Sequence, residues 1–135
     1  MLSTRGVTLS KTGGNAVTTA LIPGVTTTIV VPEDSVVFVT TDGQMVDTGG
    51  GSVTIKLELE IDSVVASFPP ERRVGTQGAT GRGWSFGTTL NLSPGPHTIA
   101  LRATVVGAGG GSGTVGADSG EPYLQTSMTV LILRR

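Results

Sequence analysis

A regular alternation of apolar and polar side chains between Ser52 and Asp62 is the feature that most limits how this chain folds. Successive side chains of a β-strand point to opposite faces, so the pattern predicts a strand with one buried and one wet face. No stretch has the 3.6-residue apolar spacing of an amphipathic helix. The five apolar residues are Val53, Ile55, Leu57, Leu59 and Ile61, and the polar ones are Thr54, Lys56, Glu58, Glu60 and Asp62.

Other parts of the 135-residue chain also favour strands, because they are rich in the β-branched residues Val and Thr. Glycines and prolines separate these runs. Eight to ten short strands without a helix predict an all-β fold, either a two-sheet antiparallel sandwich or a barrel. The expected strands are Val7–Ser10, Asn15–Ile22, Val25–Val31, Ser35–Thr41, Gln44–Thr48, Ser52–Asp62, Ser63–Phe68, Trp84–Leu92, His97–Val106 and one from Leu124 to Ile132.

Turn chemistry sets the expected boundaries between these strands. Pro23-Gly24 fits positions i+1 and i+2 of a type II turn. Asp42-Gly43 is a signal for a two-residue hairpin. Two glycine-rich segments, Gly75–Gly83 and Gly107–Pro122, read as long loops.

Composition removes several classes of function. Formal net charge is −1 and 14% of residues are charged, which argues against a nucleic-acid binder. The chain has no cysteine and one histidine, so thiolate and multi-histidine metal sites are excluded. No nucleophile–base–acid set is evident around a single histidine, and we expect no enzyme activity, no cofactor and no metal. No signal peptide or membrane-spanning run is visible, so synthesis in a cytoplasm is expected.

Two groups of polar residues are candidates for chemistry, each with a structural alternative. His97 lies on the predicted inward face of its strand, where a ring bonded to a backbone carbonyl is the favoured interpretation. Lys56, Glu58, Glu60 and Asp62 share one strand face, and the favoured interpretation is a solvated outer face. The alternative for this face is a subunit interface that involves Arg72 or Arg73.

Four residues are candidates for a protein interface. Arg72 and Arg73 closely follow two prolines and could bind an anion or a neighbouring subunit, since arginine forms bidentate contacts. The alternative is an exposed turn. Leu131 and Leu133 lie in a segment that is apolar on both faces. An interface strand and a central strand buried on both sides explain that pattern equally well.

The segment from Leu92 to Arg102 reads LSPGPHTIALR and contains the pattern L-x-x-G-x-H-T. This pattern resembles a hairpin of small jelly-roll domains of phage virion proteins, of the capsid-decoration and fibre-head types, and of the heads of bacterial collagen-like trimers. Ala20–Val31, Leu57–Asp62 and Ser127–Leu133 resemble their opening, middle and closing strands.

This resemblance implies a jelly-roll-like sandwich from residues 15 to 135 behind an N-terminal arm at residues 1–14. It also implies a homo-oligomer, with a trimer expected, located in the virion and bound to the major capsid protein or another virion protein. We expect the arm to add a strand to a neighbour. The alternative is a receptor- or carbohydrate-binding head that recognises a glycan through the two glycine-rich segments.

Overall fold

The computed structural model describes residues 7–10, 18–47, 51–65, 72–77, 81–109, 111–116 and 125–134. These ranges hold ten strands, and they contain no helix long and apolar enough to cross a membrane. The strands are β1 (Val7–Ser10), β2 (Thr19–Val31), β3 (Ser35–Asp47), β4 (Ser52–Ile61), β5 (Val64–Val65), β6 (Arg72–Gln77), β7 (Gly81–Leu92), β8 (Gly95–Gly109), β9 (Ser112–Val115) and β10 (Ser127–Arg134).

The strands form two antiparallel sheets, which confirms the predicted all-β, jelly-roll-like sandwich. In the first, here called sheet A, β3 pairs with β7 on one side. On its other side β3 pairs with β10 and then β9, and β1 lies beyond β9. In the second, sheet B, the order is β2-β8-β4-β5, and β6 also pairs with β4.

The core lies between the inner faces of the two sheets, where the alternation of each strand places its apolar side chains. Four of the predicted inward residues of β4 are buried and the fifth, Ile61, is partly buried; Ile99, Leu101, Ala103 and Val105 of β8 are buried too. Sheet A contributes Val37, Val39 and Met45 from β3. Sheet A also contributes Trp84 of β7, which is 4% exposed.

Both predicted turns are wrong, because each lies inside a longer strand. Pro23-Gly24 interrupts β2, where the pairing with β8 shifts register between Leu21 and Thr26 and Gly24 has a φ of 77°. The extra residues form a bulge rather than a chain reversal. Asp42 and Gly43 lie within β3 and pair with Ser85 and Trp84 of β7.

Asp62-Ser63 joins β4 to β5, at the boundary expected between two strands, although the sequence predicted no turn type there. Both residues have positive φ, 51° and 68°, and Ile61 pairs with Val64 across the turn. These dihedral signs fit a type I′ hairpin, in which aspartate is a favoured residue. Asp62 therefore ends the strand instead of joining its polar face.

The described parts of the two glycine-rich segments are mostly strand, contrary to the expectation of long loops. The first supplies the end of β6 and the start of β7, and the second supplies the end of β8 and all of β9. Small residues suit β9 because a Cβ on Gly113 would lie 2.9 Å from Ile55 Cδ1. Within the predicted N-terminal arm, Val7–Ser10 forms β1, and Leu9 is fully buried.

Candidate functional site

The outer face of sheet A carries an apolar cluster, which we call the apolar face: the exposed Phe38, Leu131 and Leu133 and the half-buried Val36. Phe38 is 38%, Leu131 52% and Leu133 45% exposed. The register sets Leu131 opposite Phe38 and Leu133 opposite Val36. Side chains opposite each other on neighbouring strands are in contact range, so the four form one continuous patch.

Polar residues border the apolar face along the same two strands. Thr129 pairs with Thr40 next to Phe38 and Leu131. One step further along the strands, the Ser127 hydroxyl donates to Asp42 Oδ1. Exposed apolar patches with a polar rim are typical of surfaces that bind another protein.

The structure brings together two of the four predicted interface residues. Leu131 and Leu133 lie side by side on the apolar face, while Arg72 and Arg73 lie on β6 of sheet B, paired with Leu57 and Lys56. The side chains of these two arginines lie outside the described part of the structure. Sequence reasoning missed Phe38, although its place between the buried Val37 and Val39 puts it on the opposite, outer face.

The polar face of β4 is not the solvated surface expected from the sequence. Glu58 is 8% and Glu60 6% exposed. Lys56 Nζ lies 2.8 Å from Glu58 Oε1, and Arg102 Nε donates to Glu60 Oε2 at 2.7 Å. Burial of carboxylates carries a desolvation cost that such charge-assisted bonds offset. On this face of β4, the buried carboxylates of Glu58 and Glu60 are therefore each paired with a cation.

His97 ties the β4–β5 turn to the connection between β7 and β8. Its Nδ1 lies 2.7 Å from Asp62 Oδ2, and its Nε2 lies 2.9 Å from the Ser93 carbonyl oxygen. The Thr98 amide donates to Asp62 Oδ1 at 2.8 Å. This confirms the structural interpretation of His97, whose second nitrogen faces a backbone carbonyl instead of a nucleophilic hydroxyl.

Both partners of the His97 ring are acceptors, so the ring donates to both at once only when it is protonated. The hydrogen bond to Asp62, followed by that to Ser93, accordingly raises the pKa of His97. The same hydrogen bond, followed by that from the Thr98 amide, lowers the pKa of Asp62. The pair is therefore ionised over a wider pH range in the folded chain than in the unfolded chain.

These shifts predict how the stabilising effect of the pair depends on pH. The histidine contribution is complete below the usual His value of 6.5 and is lost as pH rises through the raised pKa. The aspartate contribution is complete above 3.8 and is lost as pH falls through the lowered pKa. The histidine and aspartate contributions are both complete between pH 3.8 and pH 6.5. We expect His97→Gln to reduce the free energy of unfolding more at pH 5 than at pH 9, as measured by urea denaturation. An equal loss at both pH values would contradict the ionised pair.

A small polar cleft lies at the end of the sandwich near this pair. Its volume is about 200 Å³, and its lining includes Asp34, Asn91 and Ser93. Such carboxylate, amide and hydroxyl groups form hydrogen bonds to polyhydroxylated ligands. In the described residues no group of three or more His, Cys, Asp or Glu is placed to hold a metal ion.

Neither a scan against protein-family models nor a search of curated proteins found a match. Among solved structures, the chain is similar to the C-terminal domain of EclA, a sugar-binding protein (TM-score 0.47, 12% identity, 96% of this chain and 79% of that one). It is also similar to the carbohydrate-binding module CBM36 in complex with calcium and xylotriose (TM-score 0.36, 11% identity, 92% and 98%).

A third solved structure is a cycloisomaltooligosaccharide glucanotransferase from Paenibacillus sp., with a TM-score of 0.32 and 23% identity. The match covers 70% of this chain and 13% of the glucanotransferase. At these TM-scores and identities, the three similarities assign no ligand, substrate or activity to this chain.

Proposed function

We propose that this chain is a non-enzymatic structural component of a phage virion, of the capsid-decoration type, that acts as a homo-oligomer. The observation that supports the proposal is the apolar face, a continuous patch on a rigid sheet with a polar border. The sequence resemblance to virion jelly-roll domains is the reason for placing the protein in a phage virion. Binding to capsid protein would rest on shape and apolar contact.

The size of the apolar face explains why such a protein would act as an oligomer. Full burial of a Leu or Phe side chain stabilises by about 1.5–3 kcal/mol, and Phe38, Leu131 and Leu133 are already about half buried. Their remaining burial is worth roughly 3 kcal/mol together. Association of two proteins costs more than this in lost freedom, so one copy would bind weakly. Several linked copies on a repeating lattice bind far more tightly without any new contact.

A charge in the apolar face tests this proposal. We expect Phe38→Asp to reduce binding to capsids at least about tenfold, because a carboxylate would be desolvated in the contact. The measurement is co-sedimentation with capsids assembled from the major capsid protein encoded beside this gene. The control is Val64→Asp, which changes an equally apolar and 66% exposed residue of sheet B. Absence of wild-type binding, or equal binding of Phe38→Asp, would contradict the proposal.

The mass of the purified chain in solution tests the proposed trimer.

The second candidate function is a glycan-binding head, and the polar cleft beside Asp34 and Asn91 favours it. Such a head would hydrogen-bond sugar hydroxyls through these side chains. A glycan array probed with the purified oligomer separates the two functions. Specific glycan binding that Asn91→Ala abolishes, with no capsid binding, would replace the decoration role.

A further inference from the structure

The polar cleft at the end of the sandwich has two sides that are held by different kinds of bond. One side is formed by Asp34 and Ser35, where β3 begins, and the other by residues 91–93, where β7 ends. The two sides are joined at the strand pair Ser35–Leu92. The Ser35 hydroxyl donates to the Glu33 carbonyl oxygen at 2.7 Å. A hydroxyl and a carbonyl do not titrate near neutral pH, so this side keeps its bond whatever the pH.

The opposite side ends at Ser93, which is held by His97. His97 Nε2 lies 2.9 Å from the Ser93 carbonyl oxygen, and His97 Nδ1 lies 2.7 Å from Asp62 Oδ2. When the ring loses one proton, we expect the remaining N–H to stay with the carboxylate, because a hydrogen bond to a charged acceptor is the stronger one. The Ser93 oxygen then faces the lone pair of Nε2 and loses this hydrogen bond.

The charged residues at this end of the sandwich leave His97 as the group that responds near neutral pH. In the described part of the chain they are Asp62 in the β4–β5 turn, Glu33 and Asp34 between β2 and β3, and Arg134 of β10, which pairs with Ser35. The residue opposite His97 on β2 is the uncharged Ile29. Among these residue types, only histidine normally changes its charge between pH 5 and pH 8.

The connection from β7 to β8 has room to respond to the loss of this hydrogen bond. It consists of Ser93 and Pro94 alone. Gly95, which follows it, has a φ of 131°, a conformation that glycine adopts without strain. A Cβ on Gly95 would meet no described atom within 4 Å. The connection therefore borders open space.

We propose that His97 is a positioning residue for the polar cleft: its protonated ring holds the Ser93 side in the shape that binds a polyhydroxylated ligand, and its neutral ring releases that side. This inference rests on the second candidate function, glycan binding, and adds its regulation by pH. A ligand that binds the held cleft better than the released one binds more weakly as the pH rises.

Nuclear magnetic resonance of the ligand-free chain tests the release of Ser93. We expect both ring nitrogens of His97 to carry a proton at pH 5 and only Nδ1 to carry one at pH 9. The carbonyl carbon resonance of Ser93 should titrate with the same midpoint, because its oxygen loses a donor. A Ser93 resonance that stays constant while His97 titrates would overturn the proposal.

A matched pair of aspartate variants tests which carboxylate controls the titration. We expect Asp62→Asn to lower the midpoint of both the His97 and the Ser93 signals, because the charge that favours the protonated ring is removed. Asparagine tolerates the positive φ at this position, so the turn is retained. Asp34→Asn removes a carboxylate from the other side of the cleft and should leave the midpoint in place. Equal shifts in the two variants would overturn control by the His97–Asp62 pair.

Ligand binding tests the regulation of the cleft. The probe is the glycan with the strongest signal on the array, and calorimetry gives its dissociation constant at pH 5 and pH 9. We expect binding to the unmodified chain to be at least about threefold weaker at pH 9. His97→Gln should show a smaller difference, because glutamine does not titrate.

The outcomes separate this inference from the function on which it rests. Equal affinity of the unmodified chain at both pH values would overturn the regulation and leave glycan binding intact. An array without any signal would overturn the glycan-binding function, and the Ser93 resonance would still decide whether His97 releases that side of the cleft.

Discussion

Gly43→Ala is expected to destabilise the fold by about 3 kcal/mol or more. A Cβ at this position would lie 2.4 Å from Cζ2 and 2.5 Å from Cη2 of Trp84. It would also lie 2.8 Å from Thr126 Oγ1. Both neighbours are buried, Trp84 at 4% and Thr126 at 0% exposure. The new methyl group therefore forces the tryptophan ring or β3 out of place.

The measurement for Gly43 is the free energy of unfolding from urea denaturation followed by Trp84 fluorescence. Gly83→Ala is the matched control, because it changes a glycine of β7 next to Trp84. A Cβ on Gly83 would lie 3.6 Å from the Gly43 carbonyl oxygen, which is an ordinary van der Waals contact. We expect Gly83→Ala to change stability by less than about 1 kcal/mol. Equal effects of the two variants would show that the tryptophan ring does not fill the space over Gly43.

Leu9→Ala is expected to cost about 2–5 kcal/mol, the usual range for a buried leucine that leaves a cavity. Leu9 is fully buried although it lies in the stretch expected to be an arm. The control is Leu131→Ala, the same change at a leucine that is 52% exposed, with an expected loss below about 1 kcal/mol. A small effect of Leu9→Ala would instead show that the domain folds without β1, as an arm docked on a neighbour would allow.

Strand patterns in the sequence predicted most of the fold because alternation is a local signal. The inner faces of β4 and β8 follow directly from it. The exposure of Leu131 and Leu133 on one side of β10 does not, because an interface strand and a buried central strand fit their pattern equally well. Turn signals failed for the same local reason. A Pro-Gly or Asp-Gly pair permits the dihedral angles of a turn. A bulge within a strand needs the same angles, and a glycine is also required where a neighbouring side chain leaves no room for a Cβ.

The candidate site depends on contacts between residues far apart in sequence, and no local sequence pattern specifies such contacts. Phe38 joins Leu131 only because β3 and β10, almost ninety residues apart in sequence, pair in one register. His97 meets Asp62 because the β4–β5 hairpin and the start of β8 lie at the same end of sheet B. The burial of Glu58 and Glu60 was likewise hidden, since alternation assigns a face and not what covers it.

By itself, the sequence determined that this chain forms β-strands, which residues face inward along most of them, and that thiolate chemistry is absent. The tertiary structure decided which strands are neighbours and, among the described residues, where apolar side chains remain uncovered. The physical reason is that alternation depends on bonds between adjacent residues, whereas pairing depends on a global arrangement that satisfies backbone hydrogen bonds and buries the inner faces together.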